Sequence, residues 1–394
     1  MKYKINPAEL EVIDDSITNQ IILLRADLNI PIRDGKIQEL YKIKQSLPTI
    51  KLLAHKNTLI IITHLGDPNG KINHSLSTRP IALNLAKLLK QKVTFIPTHD
   101  PQTITKEIEK GKSKIFLLEN LRFDKREENN DASFAQELAS TATLYVNDAF
   151  AACHRPHASI VRLPQMLPHR AGLLLTQEIA NLNFALNPKK PSIWIMGGAK
   201  LSKVELLEQA LQKADLVLIG GAVACVFCKA QGFNMGRSKI DSDSITIAKK
   251  ILQNKISKKI ILPVDFNTAV TITKNAPPKI KLTTQIQDDD IALDIGPKTI
   301  ALFQEKLENA KTIVWNGPLG YFELPAFGLG TKKIATFLGK LGAITIIGGG
   351  ETAQAIRLYH QEKKVTHLST GGGASLEYLS GKTLPGLTAL EKKY

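Results

Sequence analysis

The chain has 394 residues, 43% of them hydrophobic, which is enough for two α/β domains each with its own buried core. No apolar run reaches the roughly 18 to 20 residues of a membrane-crossing helix, residues 1–10 lack the apolar core of a secretory signal, and three cysteines are too few for a disulfide framework, so a cytoplasmic, reducing location is expected. The net charge of +16 comes from 52 Lys and Arg spread along the chain; this field concentrates anions, and without a nucleic-acid motif or aromatics interleaved among the cations, acidic metabolites are a better reading than nucleic acid.

Apolar, β-branched runs punctuate the chain: IILLRADL, TLIIITHL, KIFLLENL and TLYVNDAF in the first half, then PSIWIMGG, LVLIGGA, KIILPVDF, TIVWNGP and AITIIGGG. Helical patterns separate them, which predicts an α/β protein of two similar-sized domains, each a Rossmann-like parallel sheet flanked by helices. Such sheets bind ligands outside the carboxyl ends of their strands, where these runs place Gly, Asn, Asp and Arg. A helical segment, GLLLTQEIANLNFAL, runs into the breaker-rich NPKKPS. The expected division is an N-terminal acidic-substrate domain over 1–172, an interdomain helix and hinge over 173–190, a nucleotide-binding domain over 191–376, and a tail over 377–394 that packs back on the N-terminal domain. Cys225 and Cys228 form a C-x-x-C within apolar AVACVFCKA, and without a second pair to complete a zinc site they read as helix packing.

Four glycine-rich stretches follow strand-like runs in the second half: Gly197-Gly198-Ala199-Lys200, Gly220-Gly221, Gly348-Gly349-Gly350-Glu351-Thr352 and Gly371-Gly372-Gly373-Ala374-Ser375. Glycine lets the backbone approach a phosphate, and a following helix aims free N–H groups at that anion. One such loop can serve a tight turn for steric reasons alone, but four point to phosphate binding. None matches the P-loop or the dinucleotide fingerprint. Lys200 is placed to put a point charge on a transferring phosphoryl group, its bland alternative being a solvated lysine at a helix start. In the first half, strand ends supply Arg25, Asp27 and Asn29, then His64, Arg122, and His154, Arg155 and His157. Guanidinium forks match carboxylate and phosphate alike. The combined reading is phosphoryl transfer between a nucleotide and an acidic metabolite, in a split site that closes to exclude water.

From Leu24 to Leu387 the chain resembles the phosphoglycerate kinase family: LLRADLNIPIRDGKI, HLG, LLENLRF, NDAF, HRPHAS, GGAK, LPVDF, LDIGPKT, VWNGPLGYFE, GTKKIA, IIGGGET and STGGGASLEYLSGKTLPG appear in family order. The resemblance implies a monomeric glycolytic enzyme. It would transfer the acyl phosphate of 1,3-bisphosphoglycerate to Mg-ADP, directly and reversibly, giving 3-phosphoglycerate and Mg-ATP. It further implies that Arg25, Asp27, Asn29, Lys42, His64, Arg122 and Arg155 bind the acidic substrate. Lys200, Lys42, Gly371 and Gly372 would act on the transferring group. Lys203, Gly220, Gly221, Asn316, Glu323, Gly349, Gly350, Glu351 and Thr352 would hold the nucleotide, with Glu351 facing a Mg²⁺ that arrives with it.

Four departures from the family pattern stand out. Lys42 and Asp67 occupy positions where the family usually has Arg, and Asp67 reverses the sign beside the expected substrate, so it should repel a phosphate unless its loop turns outward. GGAKLSKVELL is one residue shorter between its lysines, which shifts helical phase by about 100° and leaves Lys203 either nucleotide-facing or solvated. Glu351 replaces Asp, and Ala292 replaces a glycine near the expected adenine. These departures keep open a second reading, a catalytically weakened nucleotide-binding regulatory protein of the same fold.

Overall fold

Runs that are apolar on both faces make strands covered on both faces by crossover helices. In the computed structural model, which describes residues 10–199 and 204–391, the run IILLR forms β1 (Ile21–Arg25), followed by a hairpin of β2 (Ile32–Arg33) and β3 (Lys36–Ile37). Then come β4 (Thr58–Ile62), β5 (Val93–Ile96), β6 (Ile115–Leu118), β7 (Leu144–Asn147) and β8 (His169–Ala171). Apart from the hairpin, these pair in parallel as one six-stranded sheet in the order β5-β6-β4-β1-β7-β8. Helix Tyr41–Lys56 places Ile43, Ile50 and Leu53 in one core cluster with Ile22, Leu24, Leu59 and Ile61. With β1 central, Arg25 stands opposite both Ile62 and Asn147, at the carboxyl edge of the sheet.

The second half continues with β9 (Ser192–Met196), β10 (Leu216–Ile219), β11 (Ile260–Ile261), β12 (Asp265–Ala269), β13 (Lys279–Leu282), β14 (Ile291–Ile295), β15 (Thr312–Asn316), β16 (Ile344–Gly348) and β17 (His367–Leu368). A six-stranded parallel sheet runs β11-β10-β9-β15-β16-β17, and a separate antiparallel sheet runs β13-β12-β14. The single run KIILPVDF is thus divided between two sheets. Pro263, lacking an N–H for the ladder, falls between Ile261, which ends β11, and Asp265, which starts β12.

Two compact units result, Met1–Ala180 with Thr383–Tyr394, and Asn181–Lys382. The returning segment is fixed on the first unit by Gly386, whose N–H donates to the Cys153 carbonyl at 2.9 Å. Cys225 and Cys228 are buried in helix Gly221–Ala230, and burial pushes both thiols up to about 12, so they pack rather than react. No helix among the described residues is long and apolar enough to cross a membrane.

Helix Leu173–Leu186 begins on a buried carboxylate: Asp148 Oδ1 accepts the N–H groups of Leu174 at 2.8 Å and Leu175 at 3.2 Å. The approach is close enough that a Cβ on Gly172 would lie 2.2 Å from that oxygen. Gly172→Ala should therefore lower stability by about 1–3 kcal/mol, the usual range for overpacking a core. Urea unfolding would measure it, and an unchanged midpoint would contradict the steric account.

Candidate functional site

The carboxyl edge of the first sheet collects the cations. Arg25 is buried there, its Nε donating to Ser159 Oγ at 2.9 Å, its Nη1 to the Ala26 carbonyl at 2.7 Å and its Nη2 to His64 Nδ1 at 3.0 Å. A guanidinium only donates, so Nδ1 is the acceptor and the imidazole proton resides on Nε2. That Nε2 lies 3.3 Å from Asn29 Nδ2, whose partner atom Oδ1 accepts the Gly66 N–H at 3.0 Å. Two donors therefore stand side by side, an arrangement suited to an acceptor oxygen from a ligand. Burial first, then the nearby Arg25 and Arg122, hold His64 well below the usual histidine range and hence neutral.

Behind Arg25, Ser159 donates its hydroxyl to Glu127 Oε1 at 2.6 Å and its N–H to Oε2 at 2.9 Å, and Glu127 is fully buried. Ser159 thus connects a buried cation to a buried anion, within a π-helical turn over Ala158–Arg162. Neither Glu127 nor Ser159 was singled out in the sequence. Their signal was a carboxylate pair just after LLENLRF and a hydroxyl just after HRPH. His157 Nδ1 is 3.9 Å from Glu127 Oε1, and burial followed by Arg122 and Arg25 pushes its pKa down to about 3. His154 Nε2 lies 3.4 Å from Arg155 Nε.

Asn120 joins the loops that carry the other groups: its Oδ1 accepts from the N–H of Leu65 and of Arg122, both at 3.1 Å, and its Nδ2 donates to the Leu65 carbonyl at 2.7 Å. Arg122 is buried, with Nη1 donating to the Gly66 carbonyl at 2.8 Å and Nε 3.4 Å from Glu128 Oε1. Lys42, in the first turn of its helix, bonds Asp27 Oδ2 at 2.6 Å, and Asp27 Oδ1 accepts the Asn29 N–H at 3.2 Å. Arg155 is half-exposed. Asp67 does not turn outward: its carboxylate pairs with Arg122, and its Oδ1 lies 3.8 Å from Arg155 Nη1.

In the second unit the strand ends present glycine backbone. Gly198 has φ +91° and Gly317 φ +92°, and a Cβ on Gly317 would sit 2.1 Å from the Gly197 carbonyl, so these two loops touch main chain to main chain. The Gly317 N–H donates to Thr352 Oγ1 at 2.7 Å. A cavity of about 550 Å³ is lined by Gly197, Gly198, Gly317, Gly349, Gly350, Glu351, Thr352 and Gly372, with Lys239 on its wall. Gly349 precedes helix Gly350–Leu358, so that helix opens toward the cavity. Asn316 lies over Gly349, its Nδ2 2.9 Å from where a Cβ would be.

A second cavity of about 370 Å³ shares Gly198, Ala199, Lys239 and Glu351 with the first. Its walls include Gly221, Ile272, Ala292, Leu293, Tyr321 and Glu323, apolar surface with a carboxylate at its border. Gly220 is one residue away, its N–H on the Met196 carbonyl at 2.8 Å. Gly371 donates its N–H to Ser369 Oγ at 3.1 Å, and Gly372 caps helix Gly373–Leu379 with φ +51°. Lys200 and Lys203 lie outside the described residues. The cavity residues Arg237, Lys239, Ile272 and Tyr321 escaped sequence reasoning. Only the two cations of MGRSK, following a glycine, carried a recognisable signal.

The family model for phosphoglycerate kinase matches residues 12–382. Named phosphoglycerate kinases from Finegoldia magna and Dictyoglomus turgidum are 44% and 42% identical, covering 96% and 98% of this chain and 98% of each relative. Among solved structures, phosphoglycerate kinase from Coxiella burnetii matches with TM-score 0.83 and 35% identity over 95% of this chain and 96% of that one. The enzyme from Pyrococcus horikoshii matches with TM-score 0.84 and 33% identity over the same shares.

The neutral His64 yields a pH prediction. A histidine with a depressed folded pKa stabilises the fold above its unfolded value near 6.5, and that stability is lost as pH falls toward the folded value. The His64 ring resonances should therefore stay flat by NMR between about pH 5.5 and 8, and a titration midpoint inside that window would refute the neutral assignment.

Proposed function

The chain belongs to the phosphoglycerate kinase family, and from that premise we propose how its residues divide the work. It is a phosphotransferase with the family's activity, the reversible transfer of the acyl phosphate of 1,3-bisphosphoglycerate to ADP, giving 3-phosphoglycerate and ATP. The observation that carries the division is the sorting of side chains: Arg25, His64, Arg122 and Arg155 at one sheet's carboxyl edge, and close-packed glycine loops at the other's.

In this reading Arg25, Arg122, Arg155, Lys42 and the adjacent donors of His64 and Asn29 hold the carboxylate and phosphate of 3-phosphoglycerate, while Asp27 accepts its hydroxyl proton. The adenine enters the apolar cavity of Ile272, Ala292, Leu293 and Tyr321 past Gly220 and Gly221, with Glu323 toward the ribose. The phosphates meet Asn316, Gly349, Gly350 and Thr352. Lys200 and Gly372 stabilise the charge on the group in flight, and Lys203 adds to the nucleotide contacts; the Gly371 N–H is engaged by Ser369 Oγ and is not a donor to that charge. Transfer is direct and in line, and requires the units to close so that water is excluded. A cytoplasmic monomer is the accompanying proposal for location and assembly.

The residues suit magnesium delivered by the nucleotide. The described residues hold no cluster of three His, Cys, Asp or Glu around a metal position, and one exposed carboxylate, Glu351, lines both cavities. Mg²⁺ takes few protein ligands and several waters. When bound, it would neutralise developing charge on the nucleotide phosphates.

The weakened, regulatory reading is not favoured, because family similarity spans nearly the whole chain. Purified protein should convert 3-phosphoglycerate and Mg-ATP in a coupled assay, and absence of turnover by folded protein would reject the activity. Lys200→Ala should lower kcat by about 10²-fold or more with little change in 3-phosphoglycerate affinity. Arg155→Ala should instead raise the 3-phosphoglycerate KM by about tenfold, and an unchanged KM would remove Arg155 from the pocket.

A further inference from the structure

Asp67 sits on a loop that is pinned at both ends. The Gly66 N–H donates to Asn29 Oδ1 at 3.0 Å, and the Gly70 N–H donates to the Arg122 carbonyl at 3.2 Å. Both glycines have positive φ, and a Cβ on Gly70 would come within 2.6 Å of Lys125 Cβ. The loop backbone therefore delivers its carboxylate to one place. That place is the guanidinium of Arg122, with Arg155 3.8 Å away.

The two partners differ in burial. The Arg122 side chain is 3% exposed and that of Asp67 is 69% exposed. Arg122 is held independently of Asp67 by the Gly66 carbonyl, by Glu128 and by Asn120 on its own N–H. Removing Asp67 would leave the cation in position, and the carboxylate, already largely in water while paired, rehydrates at little cost when it leaves. A phosphate monoester carries roughly −1.5 to −2 charge at pH 7 and three acceptor oxygens, against a single negative charge for Asp67. It is the stronger ligand for a pair of guanidiniums.

We propose that Asp67 is an internal counter-anion, occupying the seat of the acidic substrate's anionic group on Arg122 and Arg155 until substrate displaces it, so that this residue sets substrate affinity. The proposal rests on the functional reading above, and it fixes a sign. A carboxylate that competes with substrate weakens substrate binding, whereas one that merely orients the arginines strengthens it.

The test compares wild type, Asp67→Asn and Asp67→Ser with Asp67→Glu, using 3-phosphoglycerate and Mg-ATP as varied substrates and calorimetry for 3-phosphoglycerate binding. Both neutral variants should lower the 3-phosphoglycerate KM and Kd by about two- to fivefold. The gain should shrink as ionic strength rises. Asp67→Glu should stay close to wild type, and the Mg-ATP KM should not follow the change. A raised 3-phosphoglycerate KM in the neutral variants, or an unchanged one with turnover intact, would overturn the counter-anion role alone. Failure of folded wild type to bind or turn over 3-phosphoglycerate would instead overturn the functional reading, and the proposal with it.

Discussion

A guanidinium cannot shed its proton at any ordinary pH, so burying Arg25 at the end of the central strand commits the surrounding structure to compensating it. The compensation is built in two directions. Inward, Ser159 Oγ accepts from Arg25 Nε and donates to the buried carboxylate of Glu127; outward, His64 accepts from Nη2 and is thereby fixed in one tautomer. That tautomer decides which atom His64 can offer to a ligand. Four residues from four separate segments are tied together because one cation emerges at the carboxyl edge of the sheet.

The second unit solves a different problem. Its strand-end loops approach one another main chain to main chain, and glycine is the residue that permits it. The contact between the Gly197 and Gly317 loops leaves no room for a side chain on either. The first unit's sheet edge is therefore electrostatic and made of long side chains. The second unit's is steric and made of their absence.

Asp67 shows how an acid can be absorbed into a cluster of cations. By sequence alone, an acid beside the expected substrate position implies repulsion. With its loop pinned and Arg122 and Arg155 within reach, it becomes a partner for cations that would otherwise repel one another at short range. Lys42 behaves comparably, its point charge engaged by Asp27 rather than projecting freely.

Apolar runs of four or five residues spaced by helical periods determined the parallel α/β class, because burial on both faces admits few other residues, and the motif order identified the family. The glycine loops were legible for the same reason: glycine at a strand end has a restricted set of uses. The antiparallel sheet was not legible, since KIILPVDF reads as one strand until Pro263 divides it between two ladders. Nor were Glu127, Ser159 and Asn120, whose roles are hydrogen bonds to groups 32 to 134 residues away in the chain. The tertiary structure alone decided the tautomer of His64 and the direction of Asp67. Each depends on which partners the fold brings within about 3 Å, and hydrogen-bond geometry at that range is not encoded by sequence spacing.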